Sequence, residues 1–220
     1  MMVVIDGPAG SGKSSTAKAV ADRLDMQYID SGAIYRVVAL LYIQSDFDEN
    51  KFFEFFDEAD ISFHYEKGIF HVYLNGEEVT DTIRSAEVTD NVSKVASMPE
   101  VRAKVTGFLR ESVKKGDYIS DGRDLGTVVY PDADLKIFMV ADLEKRALRR
   151  WKELKDSHQP IDLEKIRKNL ESRDQIDSNR NTAPLKKAKD AVGIDTSDLS
   201  FDEQVDLIIS HIKSVTNAQV

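Results

Sequence analysis

The chain has 220 residues, of which 41% are hydrophobic and 31% charged, a balance that suits one large domain and argues against a disordered or membrane-spanning chain. Lys and Arg total 30 against 39 Asp and Glu, a net charge of -9, so a broad, non-specific nucleic-acid surface is excluded, although a local arginine cluster is not. The absence of cysteine removes disulfides, Cys-ligated zinc, iron–sulfur clusters and thiol catalysis.

In chain order, residues 2–5 form a short apolar run that reads as a buried strand. It runs into Gly7-Pro8-Ala9-Gly10-Ser11-Gly12-Lys13-Ser14, which fits the pattern G-x-x-x-x-G-K followed by Ser or Thr. Ala17, Val20, Ala21 and Leu24 then recur at helical spacing. Strand, glycine-rich turn and helix are the context this motif requires. The glycines let successive N–H groups turn inward toward an anion, and the helix N-terminus adds positive potential. Lys13 is placed to reach the outer phosphates and the Ser14 hydroxyl to meet Mg²⁺. The motif alone also serves GTPases and motor-type ATPases.

A second strand at residues 28–29 leads into Asp30-Ser31-Gly32-Ala33-Ile34-Tyr35-Arg36. Taken alone, this reads first as a helix cap at Ser31 followed by a surface arginine; at the carboxyl edge of a parallel sheet it is also where ligands bind. Ile61, Phe63 and Tyr65, then Phe70, Val72 and Leu74, alternate with polar residues before Asn75-Gly76 and residues 77–79. That is an antiparallel meander with a hairpin signal, expected as a subdomain inserted at residues 57–98.

A strand at residues 118–120 ends in Asp121-Gly122-Arg123-Asp124-Leu125-Gly126. An acidic residue there, facing a phosphate loop, suits Mg²⁺, and Arg123 and Asp124 project into the same crevice. Apolar runs at 136–140 and 191–194 complete five strands alternating with helices, the pattern of a parallel sheet covered on both faces. Between these runs, residues 145–180 are rich in charge and are expected to form a solvated helical excursion. Arg146, Arg149 and Arg150 share one helix face, and Arg173, Asp177 and Arg180 another. Such faces are commonly solvent-exposed salt-pair ladders; beside a phosphate loop they become a lid able to neutralise transferring phosphate and exclude water. Ser200 and Glu203 form a capping box for a last helix with Phe201, Val205, Ile208, Ile209 and Ile212 on one stripe.

His64, His71, His158 and His211 lack metal-ligand spacing, and the longest apolar run, residues 37–43, is far short of a span. No basic segment precedes an apolar stretch at the start. The expectation is a cytoplasmic protein, monomeric by default, without membrane or nucleic-acid polymer as partner.

Together, the phosphate loop, the Asp30–Arg36 segment, the stretch from Asp121 through Ala133, Arg146-Ala147-Leu148-Arg149-Arg150, Arg173-Asp174 with Asp177 and Arg180, and Ala183-Pro184-Leu185 with Asp190-Ala191 resemble the bacterial-type cytidylate kinases of the nucleoside monophosphate kinase group. The resemblance covers nearly the whole chain and implies an α/β P-loop kinase fold with a five-stranded parallel sheet, a small inserted antiparallel β subdomain and a helical lid. It implies transfer of phosphate from ATP, with Mg²⁺, to CMP and dCMP. Gly7, Pro8, Ala9, Gly10, Ser11, Gly12, Lys13, Ser14 and Ser15, with Arg146 and Arg150, would hold ATP; Ser14 and Asp121 would hold the metal. Ser31, Arg36, Arg123 and Arg180 would hold the CMP phosphate, Ser93, Arg102 and Asp124 the cytosine edge, and Arg173 and Asp177 the ribose. Lys13, Arg123, Arg149 and Arg180 would form the catalytic set. Ile176 stands where some relatives carry an arginine or polar residue. Two rival readings are a P-loop kinase for UMP, shikimate or a sugar, and a nucleotide-switch module without acceptor chemistry.

Overall fold

The computed structural model describes residues 1–156 and 162–218; positions 157–161 of the expected lid, and His158 with them, lie outside the described residues. In chain order the elements are β1 (Met2–Asp6), α1 (Lys13–Leu24), β2 (Gln27–Asp30), α2 (Ser31–Gln44), α3 (Glu49–Glu58), β3 (Ile61–Glu66), β4 (Ile69–Leu74), β5 (Glu77–Glu78), α4 (Ala86–Val95), α5 (Pro99–Ser112), β6 (Tyr118–Gly122), β7 (Leu135–Val140), α6 (Leu143–Asp156), α7 (Leu163–Asn179), β8 (Val192–Asp195) and α8 (Phe201–Ala218).

Five strands form one parallel sheet in the order β2-β6-β1-β7-β8. The expected five-stranded α/β core is therefore present. Its strands read as unbroken apolar runs because helices cover both faces: Val3, Val4, Ile5, Ile119 and Ile137 are all buried. With β1 central, its carboxyl end and that of β6 open onto the same crevice, and Asp6 lies beside Gly122 in register. Among the described residues, no helix is long and apolar enough to cross a membrane.

The meander is antiparallel, in the order β3-β4-β5. Asn75 and Gly76 have φ of 52° and 81°, the left-handed pair an Asn-Gly turn favours. Lys67 and Gly68 make a second such turn, at 51° and 77°. The meander shares the main core: Tyr28 of β2 meets the rings of Tyr65 and Phe70 edge-on, at 5.3 and 5.8 Å between centroids. The charged excursion is only partly solvated. α6 and α7 pack together over Ala147, Ile166 and Leu170, and this small cluster takes in Ala9 of the phosphate loop. The capping box is reciprocal, with Ser200 N donating to Glu203 Oε2 (2.8 Å) and Glu203 N to Ser200 Oγ (3.3 Å); Val205, Ile208 and Ile212 are buried behind it, whereas Phe201 stays about half exposed at 48%.

Gly7 is dictated by space. A Cβ there would lie 2.1 Å from the Met139 carbonyl oxygen, a backbone atom of β7 that has no rotamer to escape into. Gly7→Ala should lower stability by about 3 kcal/mol and the melting temperature by about 10 °C; a thermal melt matching the unmutated chain would contradict this close packing.

Candidate active site

The loop between β1 and α1 is braced from behind. Thr16 Oγ1 donates to the Gly12 carbonyl (2.9 Å) and to Gln204 Oε1 of α8 (3.3 Å). Lys13 opens α1 and is buried, 4% exposed. Its Nζ donates to the Pro8 carbonyl at 3.1 Å, and no carboxylate pairs with it among the described residues. Burial, then the charges of Arg123 and Arg173, push its pKa down to about 7, against the pull of Asp121 and Asp177. Ser14 Oγ donates to Asp121 Oδ2 (2.6 Å), and Tyr28 Oη donates to Asp121 Oδ1 (2.5 Å). Burial and the charge of Asp30 raise the Asp121 carboxyl above its usual range. A hydroxyl and a carboxylate in contact beside the loop are hard oxygen donors of the kind Mg²⁺ takes. Ser15 is exposed on α1.

On the acceptor side the cap is Asp30, one residue earlier than expected. Its Oδ1 accepts from the Ala33 N–H (2.8 Å) because Asp30 ends β2 in an extended conformation while Ser31 is already helical. Ser31 Oγ instead donates to the Asp121 carbonyl (2.6 Å), joining α2 to β6. Arg84, from the turn after the meander, donates to Asp30 Oδ2 (2.7 Å). Burial opposes the Asp30 charge, yet Arg84 holds its carboxyl below the usual range. Arg36 donates to the Ile83 carbonyl (3.1 Å) and Thr89 Oγ1 (2.9 Å), neither of them charged. Burial and then the neighbouring guanidiniums of Arg173 and Arg84 lower its pKa to about 9. Arg173 is lowered to about 10 by burial and then by Arg123, and its Nε is buried without a partner among the described residues.

Beyond these cations runs an alternating ladder. Arg123 Nε donates to Asp177 Oδ2 (2.9 Å); Asp177 also faces Arg180 (3.6 Å); Arg180 Nη2 donates to Asp124 Oδ1 (3.3 Å); and Arg102 Nη2 donates to Asp124 Oδ2. Arg102 is 3% exposed, donates through Nη1 to the Ala96 carbonyl (3.0 Å) and lies 5.3 Å over the Tyr35 ring centroid. Burial pushes the Tyr35 phenol up to about 12. Ser93 is buried on α4. The fold thus brings Arg123, Arg180, Asp177, Asp124 and Arg102 into one connected network.

The lid arginines part company. Arg146 is buried and internally satisfied: it donates to the carbonyls of Ala141 and Ala9 (2.8 Å each) and to Asp174 Oδ2 (2.6 Å), while Asp174 Oδ1 accepts from the Ala9 N–H (3.1 Å). Arg149 donates to Thr196 through both terminal nitrogens, and its Nη1 lies 3.9 Å from where a Cβ on Gly12 would stand. Arg150 pairs with Glu153 (2.9 Å) at the surface, although its charge reaches Arg36 and Arg173. Ile176 is 41% exposed.

Residues the sequence did not flag include Arg84, Tyr35, Asp6 and Asp174. Tyr35 and Asp174 stand inside quoted motifs and Asp6 directly precedes the phosphate loop, so their positions were visible; nothing local marks Arg84. Four buried side-chain atoms lack partners among the described residues: Ser11 Oγ, Tyr35 Oη, Arg102 Nε and Arg173 Nε. Three belong to the loop, the ladder or the cation cluster, and Tyr35 packs under Arg102 of the ladder. Buried polar atoms are normally paired, so their concentration here marks where a ligand would complete the structure.

The family model described as cytidylate kinase matches residues 3–214. The chain is 44% identical to a cytidylate kinase of Acholeplasma laidlawii over 96% of its own length and 95% of that protein's. It is 45% identical to one from Cytophaga hutchinsonii, covering 96% and 92%. In three dimensions it resembles a gluconokinase from Sinorhizobium meliloti, with a TM-score of 0.53, 11% identity and coverage of 99% and 94%, a likeness of fold alone.

Proposed function

The chain belongs to the cytidylate kinase family, and on that premise we propose that it moves the γ-phosphoryl group of ATP to CMP, and to dCMP, giving ADP and the diphosphate. The observation that carries this reading is the unpaired surplus of positive charge. Lys13 is buried, Arg36 and Arg173 are partly buried, and none of the three has an ion pair among the described residues. An unpaired cation withdrawn from water is costly, and one buried and two partly buried around one crevice call for an anion larger than any side chain here supplies.

The ATP phosphates fit the amides of residues 7–12 and the Lys13 ammonium, with Arg149 beside Gly12. Mg²⁺, carried in with ATP, would meet Ser14 Oγ and Asp121 and offset phosphate charge there. The CMP phosphate fits Arg36 and Arg123, with Ser31 at its edge; Arg173 and Asp177 suit the ribose. A CMP phosphate oxygen attacks the γ-phosphorus, the bond to the ADP oxygen breaks, and no general base is required because the attacking monoester is already anionic near neutral pH. Lys13, Arg123 and Arg180 neutralise the equatorial oxygens. Asp124 accepts from Arg102 and Arg180 and, with about four lone-pair sites, keeps room for the cytosine amino group, while the free Nε of Arg102 faces the need of a carbonyl or ring nitrogen. Residues 57–98 act as the acceptor-side insert, giving Ser93 and Arg84, and residues 145–180 as the lid, which on this reading has Arg146 tying it to Ala9 and Arg150 free to swing from Glu153 toward phosphate. The reading places the enzyme in the cytoplasm as a monomer. A switch module would have no use for the Arg102–Asp124 pair.

The test is ADP release with CMP, dCMP, UMP, AMP and shikimate supplied one at a time. CMP should exceed UMP in kcat/KM by about 100-fold, since the wrong base leaves buried polar groups unpaired. Equal or better turnover of another acceptor would overturn the base assignment, and ADP release independent of any acceptor would favour the switch module.

A further inference from the structure

Asp6 closes β1, one residue before the phosphate loop begins, and it is 4% exposed. Its carboxylate reaches across to the turn that follows β6. Leu125 N donates to Oδ1 (2.9 Å) and Gly126 N to Oδ2 (2.8 Å), so both oxygens are taken by consecutive amides directly after Asp124. The rest of that turn hangs on the Asp124 carbonyl, which accepts from Val128 N at 2.8 Å and from Thr127 and Val129 N at 3.3 Å. From the far side, Arg110 donates to the carbonyls of Val128 and Val129 (2.8 Å each). The turn is thus held at both ends, and the end next to Asp124 is held by Asp6.

We propose that Asp6 is a positioning residue that ties the phosphate loop's strand to the Asp124 turn, so that donor phosphates and acceptor base are set at a fixed separation. The inference rests on the reading of Asp124 as the group that meets the acceptor's base. A purely stabilising role fits Asp6 poorly. Burial raises its carboxyl to about 6, against the two amides, with Asp124 adding to the rise and Lys13 opposing it. A carboxyl whose folded pKa lies above its unfolded value binds more protons folded than unfolded, so its contribution to stability falls as pH rises from about 4 to about 6. Above that window the ionised group is a burden on the fold, yet only the ionised form offers acceptors to both amides.

The test is Asp6→Asn, which keeps the shape but can accept from only one of the two amides. Steady-state KM is measured for ATP and for whichever acceptor the panel above ranks first, with a thermal melt alongside. The expected result is a rise of about tenfold in the acceptor KM, an ATP KM within about twofold, and a melting temperature close to that of the unmutated chain. Equal rises in both KM values, or none in either, would overturn the proposal, as would loss of folding, which would make Asp6 a structural strut only. Because the acceptor is taken from the panel, a failure of the CMP assignment shows there and a failure of the Asp6 proposal shows here.

Discussion

Replacing Lys13 with alanine should lower kcat about 1,000-fold while the protein remains folded and melts no earlier. The two halves of this expectation have one origin. Lys13 is buried near Arg123 and Arg173 without an ion pair among the described residues, and its pKa falls to about 7. A lysine depressed in the folded state binds fewer protons there than when unfolded, so between about pH 7 and pH 10.5 the stability of the nucleotide-free protein rises with pH, and below pH 7 the burden is fully present. Removing the ammonium therefore removes a strain on the fold. What is lost is a fixed positive charge where the transferred group gathers negative charge. The same argument predicts that ATP, added at pH 8, draws a proton onto Lys13. Calorimetry in buffers of different ionisation enthalpy would read this as net proton uptake that disappears in Lys13→Ala. Near-normal turnover in the variant would remove the loop's assigned role.

The readings that held in the sequence were local ones. The phosphate loop, the five apolar strands, the Asn75-Gly76 turn and the Ser200–Glu203 box each depend on residues within a few positions of one another, and the structure has all of them. The second hairpin turn escaped notice because Lys67 is not a usual left-handed residue, although Gly68 follows it. The cap fell on Asp30 because β2 runs one residue further than its apolar run, leaving the aspartate extended at the junction. The arginines of α6 show the deeper limit. Spacing gives Arg150 its partner Glu153 on the same helix, but the partners of Arg146 and Arg149 come from elsewhere: Ala9, 137 residues away, for one and Thr196 for the other. Periodicity carries no information about a neighbour so distant in sequence. Arg84 was invisible for the same reason, since only the return path of the meander brings it to Asp30.

Asp124→Asn should raise the KM for CMP about 100-fold and that for ATP less than about threefold, with a fall in melting temperature of about 10 °C. The stability loss follows from what the carboxylate holds. Arg102 and Arg180 are both buried and both donate to it. Arg180 would retain Asp177 at 3.6 Å, but Arg102 would keep only uncharged neighbours, the Ala96 carbonyl and the Tyr35 ring, leaving a guanidinium buried without a counter-charge. Kinetics must therefore be run well below the melt, where both enzymes are folded and any difference between the two KM values belongs to the site. A second consequence separates base reading from general damage. A carboxylate can only accept, which suits the amino group of cytosine and repels the carbonyl that uracil presents in its place. A carboxamide can also donate, and so can meet that carbonyl. The preference for CMP over UMP should accordingly shrink by at least about tenfold in Asp124→Asn, through gain on UMP as well as loss on CMP. A preference that stays where it was while overall activity drops would show that the base is read elsewhere, and that the Arg102–Asp124–Arg180 ladder serves the fold alone.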